Sequence, residues 1–451
     1  MIKNVNNDNI QLVLDGFQKY YQLMSQKGQF SCDEFKNFME PIFTEAGYRD
    51  KASKVDGTNI LIIHDAGVGD FITMSAAIRE IRRIYPEAYI TLIVKSIAFS
   101  MAECCPYVNE IIENEMSFSN ANFMAMYHWN INFAKRLLKH NYDICFAFDR
   151  IAATPLLAYM SGAREIIASK SSLDPNMIYS MPQGAPHCHH FASLLTVEVP
   201  LDYSLIQRKG LGVHVVDKCL GFLEYMLRAP IANRDIEIWY NDEDLKKVKQ
   251  YLKDCGTDNC YAICMGGSVA FKCWPPENYA QLLKLILSVE DSAKFIILGG
   301  VDDENAVEIL KQYLDRDIFD NHVIDLTGKI NYRQSATILT LCKTYIGTDT
   351  GTMHAAAAVK VPIISTFSFP ADLKMTEEST PSIWYPYCVP SVVVLPHNSL
   401  PECKGSHTPY GCHIFFRPHC ITQISVKTMF KAFNLLKQQI EKGAMEPLYI
   451  Y

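Results

Sequence analysis

Three short stretches place chemically useful side chains beside glycines at the ends of apolar runs. The first reads HDAGVGDF, residues 64 to 71. Gly67 and Gly69 permit a tight turn and close approach of a ligand to the backbone, and His64 stands at the end of the run before them. Asp70 opens the helical pattern FITMSAAIREI. A carboxylate there can take a proton from a hydroxyl, and an aspartate there can equally serve as a helix N-cap. The residues alone leave both readings open. No third glycine follows at the dinucleotide-binding spacing.

The second stretch is MGGSVAFKCWPPENYA, residues 265 to 280. Gly266, Gly267 and Ser268 offer backbone N–H groups and a hydroxyl at a strand end. Lys272 follows, ahead of a proline pair able to open a helix. A lysine near free amides suits a phosphate, because charge-assisted hydrogen bonds to anions are the strong ones; a solvated loop lysine is the bland alternative. The third stretch is IGTDTGTMHAAAA, residues 346 to 358. Asp349 ends a strand, Thr350, Gly351 and Thr352 form the turn, and His354 falls in the first turn of a helix. The alanines let that helix lie close to the sheet. Its N-terminal amides bind anions with the help of the helix dipole. His354 is read either as part of that site or as a packed core histidine.

Taken together, Lys272 and the amides of Thr350–Thr352 frame an anionic pocket, with Asp70 as a carboxylate opposite it. A nucleotide-sugar transferase needs that pair. Its leaving nucleoside diphosphate develops charge that donors must stabilise, and its acceptor hydroxyl must lose a proton.

The elements that must position these turns form two series. Apolar runs alternate with helical patterns from Asn59 onwards, as in NILIIHD, AYITLIV and YDICFAFD, and again in YAICMGG, KFIILGG, VIDLT, TYIGTD and VPIISTF. Strands buried on both faces and alternating with helices indicate parallel sheets with right-handed crossovers. The expected architecture is α/β: two Rossmann-like, doubly wound domains facing a cleft. Residues 58–232 form the acceptor domain, 233–425 the nucleotide-sugar domain, and 426–451 a C-terminal helix and tail. Residues 1–57 read as a helical extension, with Val13, Phe17, Tyr20, Tyr21 and Met24 at helical spacing and Ser31 with Glu34 as a capping box.

The chain has 451 residues, enough for two cores, with 49% hydrophobic and 20% charged residues, a globular composition. Its net charge of −7 argues against nonspecific nucleic-acid binding. No run reaches membrane-spanning length. Fifteen cysteines without a secretory leader read as reduced thiols in a cytoplasmic protein. Cys403, Cys412 and Cys420, interleaved with His407, His413 and His419, lack any C-x₂-C pair and are read as a loop of reduced cysteines rather than a metal cluster.

From Asn59 to the C-terminal helix the sequence resembles the bacterial ADP-heptose:lipopolysaccharide heptosyltransferases, glycosyltransferase family 9. The resemblance is carried in order by ILIIHDAGVGD, CPYVNEII, YDICFAFD, GGSVAFKCWP, LTGKINYRQSATIL and IGTDTGTMHAAAAVKVPIIS, the last being the most specific. It implies a GT-B fold and an inverting, metal-independent transfer of heptose from an ADP-activated donor to a lipopolysaccharide-core sugar, with no cofactor. Asp70 matches the base; Ser268, Lys272, Thr350 and Gly351 match diphosphate contacts; Asp349 and His354 match the signature acid and histidine. Asp303 or Glu304 would reach the ribose. An acceptor anchored in the inner leaflet implies peripheral contact at the inner membrane, through REIRRIY or residues 51–54. The chain departs from the family at His64, where a basic residue is usual, at Ala76 in place of proline, and at Ser368 in place of glycine. His64 and the extension keep a protein or another glycan open as acceptor, and a non-catalytic nucleotide-binding member remains the third reading.

Overall fold

In the computed structural model of the protein, residues 7–27, 32–47, 58–64, 66–115, 133, 135–138, 140–148, 154–169, 197–199, 213–252, 259–373, 375, 379–401, 407–408, 411–412 and 416–451 are described. The chain forms two compact units. One comprises Met1–Gly67, Ala77–Asp202 and Gly221–Pro230; the other comprises Val68–Ala76, Tyr203–Leu220 and Ile231–Tyr451. The site turns therefore fall in different units: His64 and Gly67 in the first, Gly69, Asp70 and the later stretches in the second.

The first unit holds six strands: β1 (Asn59–His64), β2 (Tyr89–Lys95), β3 (Glu110–Asn114), β4 (Ile144–Ala147), β5 (Glu165–Ser169) and β6 (Val197–Val199). They lie in the order β3-β2-β1-β4-β5-β6, and every pairing is parallel. Ile60 to Ile63 are buried, as are all four residues of β4, which explains why these runs are uniformly apolar rather than alternating. The strand order reverses between β1 and β4, so the turn after His64 emerges at a topological switch point.

Helices α1 (Asn7–Lys27) and α2 (Cys32–Glu45) share this unit's apolar core. Val13, Phe17, Tyr20, Phe35, Met39 and Phe43 cluster with Leu61, Ile63, Cys145 and Tyr159. Their 3- and 4-residue spacing puts them on one stripe of each helix. Phe17 packs on Phe35 with ring centroids 6.3 Å apart, and Phe43 on Tyr159 at 4.6 Å. Ser31, the expected cap of α2, lies outside the described residues.

The helix α3 (Val68–Ile84) follows the first turn. At its end Arg82 is committed internally. Its guanidinium donates to the carbonyls of Tyr107, Pro86 and Ala88 at 2.8–2.9 Å and to Asn109 at 2.6 Å. Arg83 pairs with buried Glu80 at 2.6 Å. All three arginines of REIRRIY thus have partners within the fold, Arg79 lying 3.4 Å from Glu80 as well, and residues 51–54 lie outside the described residues.

The second unit holds β7 (Cys260–Cys264), β8 (Lys294–Ile297), β9 (Val323–Asp325), β10 (Thr344–Thr348), β11 (Ile363–Thr366), β12 (Ser391–Val394) and, beyond the short antiparallel hairpin β13 (His407–Thr408) and β14 (Gly411–Cys412), β15 (Leu448–Ile450). The sheet order is β15-β12-β11-β10-β7-β8-β9, again all parallel. Here the order reverses between β7 and β10, which opens a crevice between the turns that follow them. Buried Trp274 anchors the β7 turn, its Nε1 donating to Ile424 O at 2.8 Å.

The fold yields one stability prediction. Phe43 is 1% exposed and joins α2 to the sheet core. Phe43→Ala is expected to lower unfolding free energy by about 3–5 kcal/mol, read as a fall in denaturant midpoint. A loss under about 0.5 kcal/mol, the range of surface changes, would mean that the N-terminal helices are not part of this unit's cooperative core.

Candidate active site

The site residues of the second unit line up along the carboxyl edge of its sheet. Gly266 and Gly267 follow β7 and occupy the centre. A Cβ at Gly266 would strike the Asp303 carboxylate at 1.8 Å, and one at Gly267 would touch the Thr348 and Thr350 methyls at 3.5 Å. Neither glycine has a left-handed φ, so the requirement is room for neighbours and not backbone freedom. Asp303 lies on one side of this pair and Thr350 on the other.

Asp303 accepts from the Gly300 N–H at 2.9 Å and leans on Gly266 and Gly299. Burial, opposed by that hydrogen bond, raises its carboxyl above the usual range. Glu304, one residue on, is exposed and turns instead toward Gly328, where a Cβ would lie 3.3 Å from its Oε1. The two acids that the sequence left as alternatives therefore occupy different places.

On the other side, Thr350 is the residue before the helix Gly351–Ala358, and its side chain makes no capping hydrogen bond. Its hydroxyl turns back to the Tyr345 hydroxyl at 3.4 Å and the Cys264 thiol at 3.9 Å. The first amides of the helix, those of Gly351 and Thr352, are thus left without a side-chain cap, the state in which a helix N-terminus accepts an anion. Tyr345 donates to the Thr348 carbonyl at 2.9 Å. Sequence reading passed over Tyr345 and Cys264. A tyrosine inside an otherwise apolar strand is the signal that could have found the first, since a buried hydroxyl needs a partner.

Lys272 closes a 3₁₀ turn, Ala270–Lys272, and its Nζ lies 2.9 Å from Asp349 Oδ2. Asp349 is buried while Lys272 keeps a quarter of its side chain exposed. The pair leaves the ammonium with two further donors and holds it in place. Ser268 is exposed on the same loop.

Asp70 is the third residue of α3 and not its N-cap, because the helix already begins at Val68. The N-cap reading is corrected by three residues: Val68 and Gly69 continue the helix toward the turn, and the cap position falls to Gly67. There they meet the Gly351 helix. A Cβ at Gly351 would lie 2.8 Å from Val68 Cγ1 and 3.3 Å from Gly69 N, and one at Gly69 would lie 2.9 Å from His354 Cδ2. His354 is buried, set edge-on to Trp384 at 5.8 Å. Burial, opposed by Asp349 and assisted by Lys272, lowers its pKa to about 4.

In the first unit, His64 is buried, and burial lowers it to about 4 as well, with Lys95 acting in the same direction and a hydrogen bond with the Gly67 backbone opposing it. It carries no charge near neutral pH. Cys420 is a buried free thiol. Cys403 and His413 lie outside the described residues, as do the side chains of His407 and Cys412. Among the described residues, no three His, Cys, Asp or Glu side chains are grouped to hold a metal ion, and no helix is long and apolar enough to cross a membrane.

Two doubly wound parallel sheets, one carrying an uncapped helix N-terminus and a lysine at its switch point, define a fold of GT-B type. The family model described as Glycosyltransferase family 9 (heptosyltransferase) matches residues 188–403, which includes every donor-side turn and leaves out Asp70. Lipooligosaccharide heptosyltransferase 2 of Haemophilus influenzae is 27% identical over 126 residues, 28% of this chain and 36% of that protein. Lipopolysaccharide heptosyltransferase 3 of Escherichia coli is 22% identical over 300 residues, 66% of this chain and 79% of that protein. The structure of Escherichia coli ADP-heptose lipopolysaccharide heptosyltransferase II superposes with a TM-score of 0.59 at 16% identity, covering 86% of this chain and all of that one. The family match covers 216 of the 451 residues, just under half of the chain, and the likeness to the solved structure is one of fold.

The two lowered histidines make stability depend on pH. Each titrates near 6.5 ordinarily and near 4 in the fold. Below pH 6.5 the unfolded chain binds protons that the folded chain refuses, so stability is lost as pH falls from about 6.5 to about 4, by up to about 3 kcal/mol per histidine. His64→Gln is expected to flatten part of that slope in urea titrations at successive pH values. A slope equal to that of wild type would show that His64 protonates in the fold without penalty.

Proposed function

We propose that the protein is an inverting glycosyltransferase that moves a heptose from an ADP-activated donor to a hydroxyl of a lipopolysaccharide-core sugar. The observation that carries this reading is the order of groups at the carboxyl edge of the second unit's sheet, Asp303, then Gly266 and Gly267, then Thr350 and Gly351, with Gly69 of α3 packed against Gly351 and Asp70 next to it in the chain. That order fits a donor laid out as ribose, diphosphate and sugar, with a carboxylate beyond the sugar. Asp303 takes a ribose hydroxyl, with exposed Glu304 as its neighbour. The amides of Gly351 and Thr352, the Ser268 hydroxyl and Lys272 take the diphosphate. Asp349 holds Lys272, and His354 packs behind the turn.

In the reaction, Asp70 accepts the proton of the acceptor hydroxyl as its oxygen bonds to the anomeric carbon. The bond from that carbon to the diphosphate breaks on the opposite face, and configuration inverts. The charge that appears on the leaving diphosphate is met by the Lys272 ammonium and the helix N-terminus, groups that supply the stabilisation a metal would otherwise provide. The match to the heptosyltransferase family model and the heptosyltransferases that the chain resembles support heptose as the sugar and ADP as its carrier. One observation favours a different acceptor: His64, on the acceptor side with Gly67, is neutral where the family carries a basic residue. A protein or a glycan without a phosphate or carboxylate at that place fits a neutral imidazole better. Mass analysis of acceptors modified in lysate separates the two.

Two measurements test the reading. ADP at 100 times its dissociation constant is expected to raise unfolding free energy by about 2.7 kcal/mol, with UDP and GDP giving less and Lys272→Ala abolishing the shift. A preference for UDP or GDP would keep the transferase and discard ADP-heptose; no shift with any of them would favour a non-catalytic member. Asp70→Asn is expected to keep the ADP shift while losing transfer by about 10²–10⁴-fold. Transfer at the wild-type rate in that variant would remove Asp70 from its role.

A further inference from the structure

Gly69 and Gly351 each stand in the first turn of a helix, where glycine costs stability relative to alanine. Neither has a positive φ, so neither is required by its backbone. What each supplies is closeness. Gly351 leaves room for Val68 and the Gly69 N–H, and Gly69 leaves room for the edge of the His354 ring. The first turns of α3 and of the Gly351–Ala358 helix are thus set against each other with only a ring edge and a valine between them, inside one compact unit.

His354 is the side chain whose placement decides this contact. It is 3% exposed, its Nδ1 is buried without a hydrogen-bond partner in the protein, and its ring is held between Gly69 and Trp384. A ring fixed by packing rather than by a hydrogen bond at Nδ1 acts through its shape. Asp70 is the residue after Gly69, so any shift of that turn moves the carboxylate.

We propose that His354 is a positioning residue: its ring, bearing on Gly69, sets the first turn of α3 and with it Asp70 at a fixed distance from the N-terminus of the Gly351 helix. This rests on the transferase reading and on Asp70 as its base. It assigns His354 no contact with substrate. The spacing between base and phosphate site is then set by two glycines and one imidazole, none of which performs a chemical step.

The test is a double-mutant cycle on Gly69 and His354 in the full-length protein. Gly69→Ala places a methyl 2.9 Å from His354 Cδ2, although alanine is the better helix former. It is expected to lower kcat by about tenfold or more, since misplacement by an ångström can cost about a hundredfold. The donor KM and the ADP-induced stability shift should change less than about threefold, because the new methyl meets Gly351 N only at 3.7 Å, an ordinary contact, and leaves that amide in place. His354→Ala removes the ring and is expected to lower kcat in the same way, while Gly69→Ala combined with His354→Ala should exceed Gly69→Ala alone in kcat. His354→Phe, which keeps a ring but no nitrogen, should retain more activity than His354→Ala. Unchanged kcat in Gly69→Ala, or a double variant no better than Gly69→Ala, overturns the proposal, as does His354→Phe no more active than His354→Ala. If His354→Ala fails to fold, the Gly69→Ala arm still decides, through its fall in kcat at little-changed donor KM. Absence of transfer by the wild-type protein defeats the functional reading instead, whereas active wild type with flat variants defeats this role alone.

Discussion

The close approach of two helix N-termini is the constraint on which the site depends. Each carries roughly half a positive charge, and the first turns of α3 and the Gly351 helix meet at Val68, Gly69 and Gly351. Like partial charges at that separation repel in the absence of an anion. The fold tolerates the arrangement because the apolar contact of Val68 and the wedge of His354 hold it, and because Asp70 and Asp349 lie within a residue or two of the two N-termini. A bound diphosphate would remove the repulsion, so the geometry stores a preference for an anionic ligand that no side-chain substitution away from the contact would create.

The same constraint explains the pairing of Lys272 with Asp349. A buried carboxylate without a partner is costly, and a free ammonium beside two positive helix ends would add to the repulsion. At 2.9 Å the pair is internally balanced, and it keeps Lys272 from following solvent. His354 beside it is pushed toward neutrality by burial, so it adds ring volume without a third positive charge. The charge of the pocket is therefore set mostly by backbone, with side chains arranged to cancel.

Much of this was legible in the sequence, for identifiable reasons. The strands β1, β7 and β10 are apolar runs ended by glycine, so the turns that matter announced themselves, and the parallel sheets followed from burial on both faces. The start of α3 was less legible. Asp70 looked like a cap because Val68 and Gly69 are poor helix residues in isolation, and tertiary contact with Gly351 overrides that preference. The Lys272–Asp349 pair spans 77 residues and leaves no local trace. Neither does the packing of α1 and α2, since an amphipathic stripe says that a helix is covered but not by what. Asp303 and Glu304 were indistinguishable as adjacent acids, and only the glycines they lean on, Gly266 and Gly328, separate them.

Glycine is the thread that joins these cases. At Gly266, Gly267, Gly69 and Gly351 no unusual φ is needed, and at each a Cβ would meet a neighbour that belongs to the site: Asp303, Thr350, His354 and Val68. A sequence displays such glycines as turn punctuation, which is how Gly67 and Gly69 were first read. Their function here is spatial. They bring groups from separate elements to distances that a β-carbon would forbid, in the order that the proposed donor reading assigns to ribose, diphosphate and sugar. In the proposed reaction the chemistry falls to Asp70, Lys272 and the helix amides, while their spacing is set by residues with no side chain.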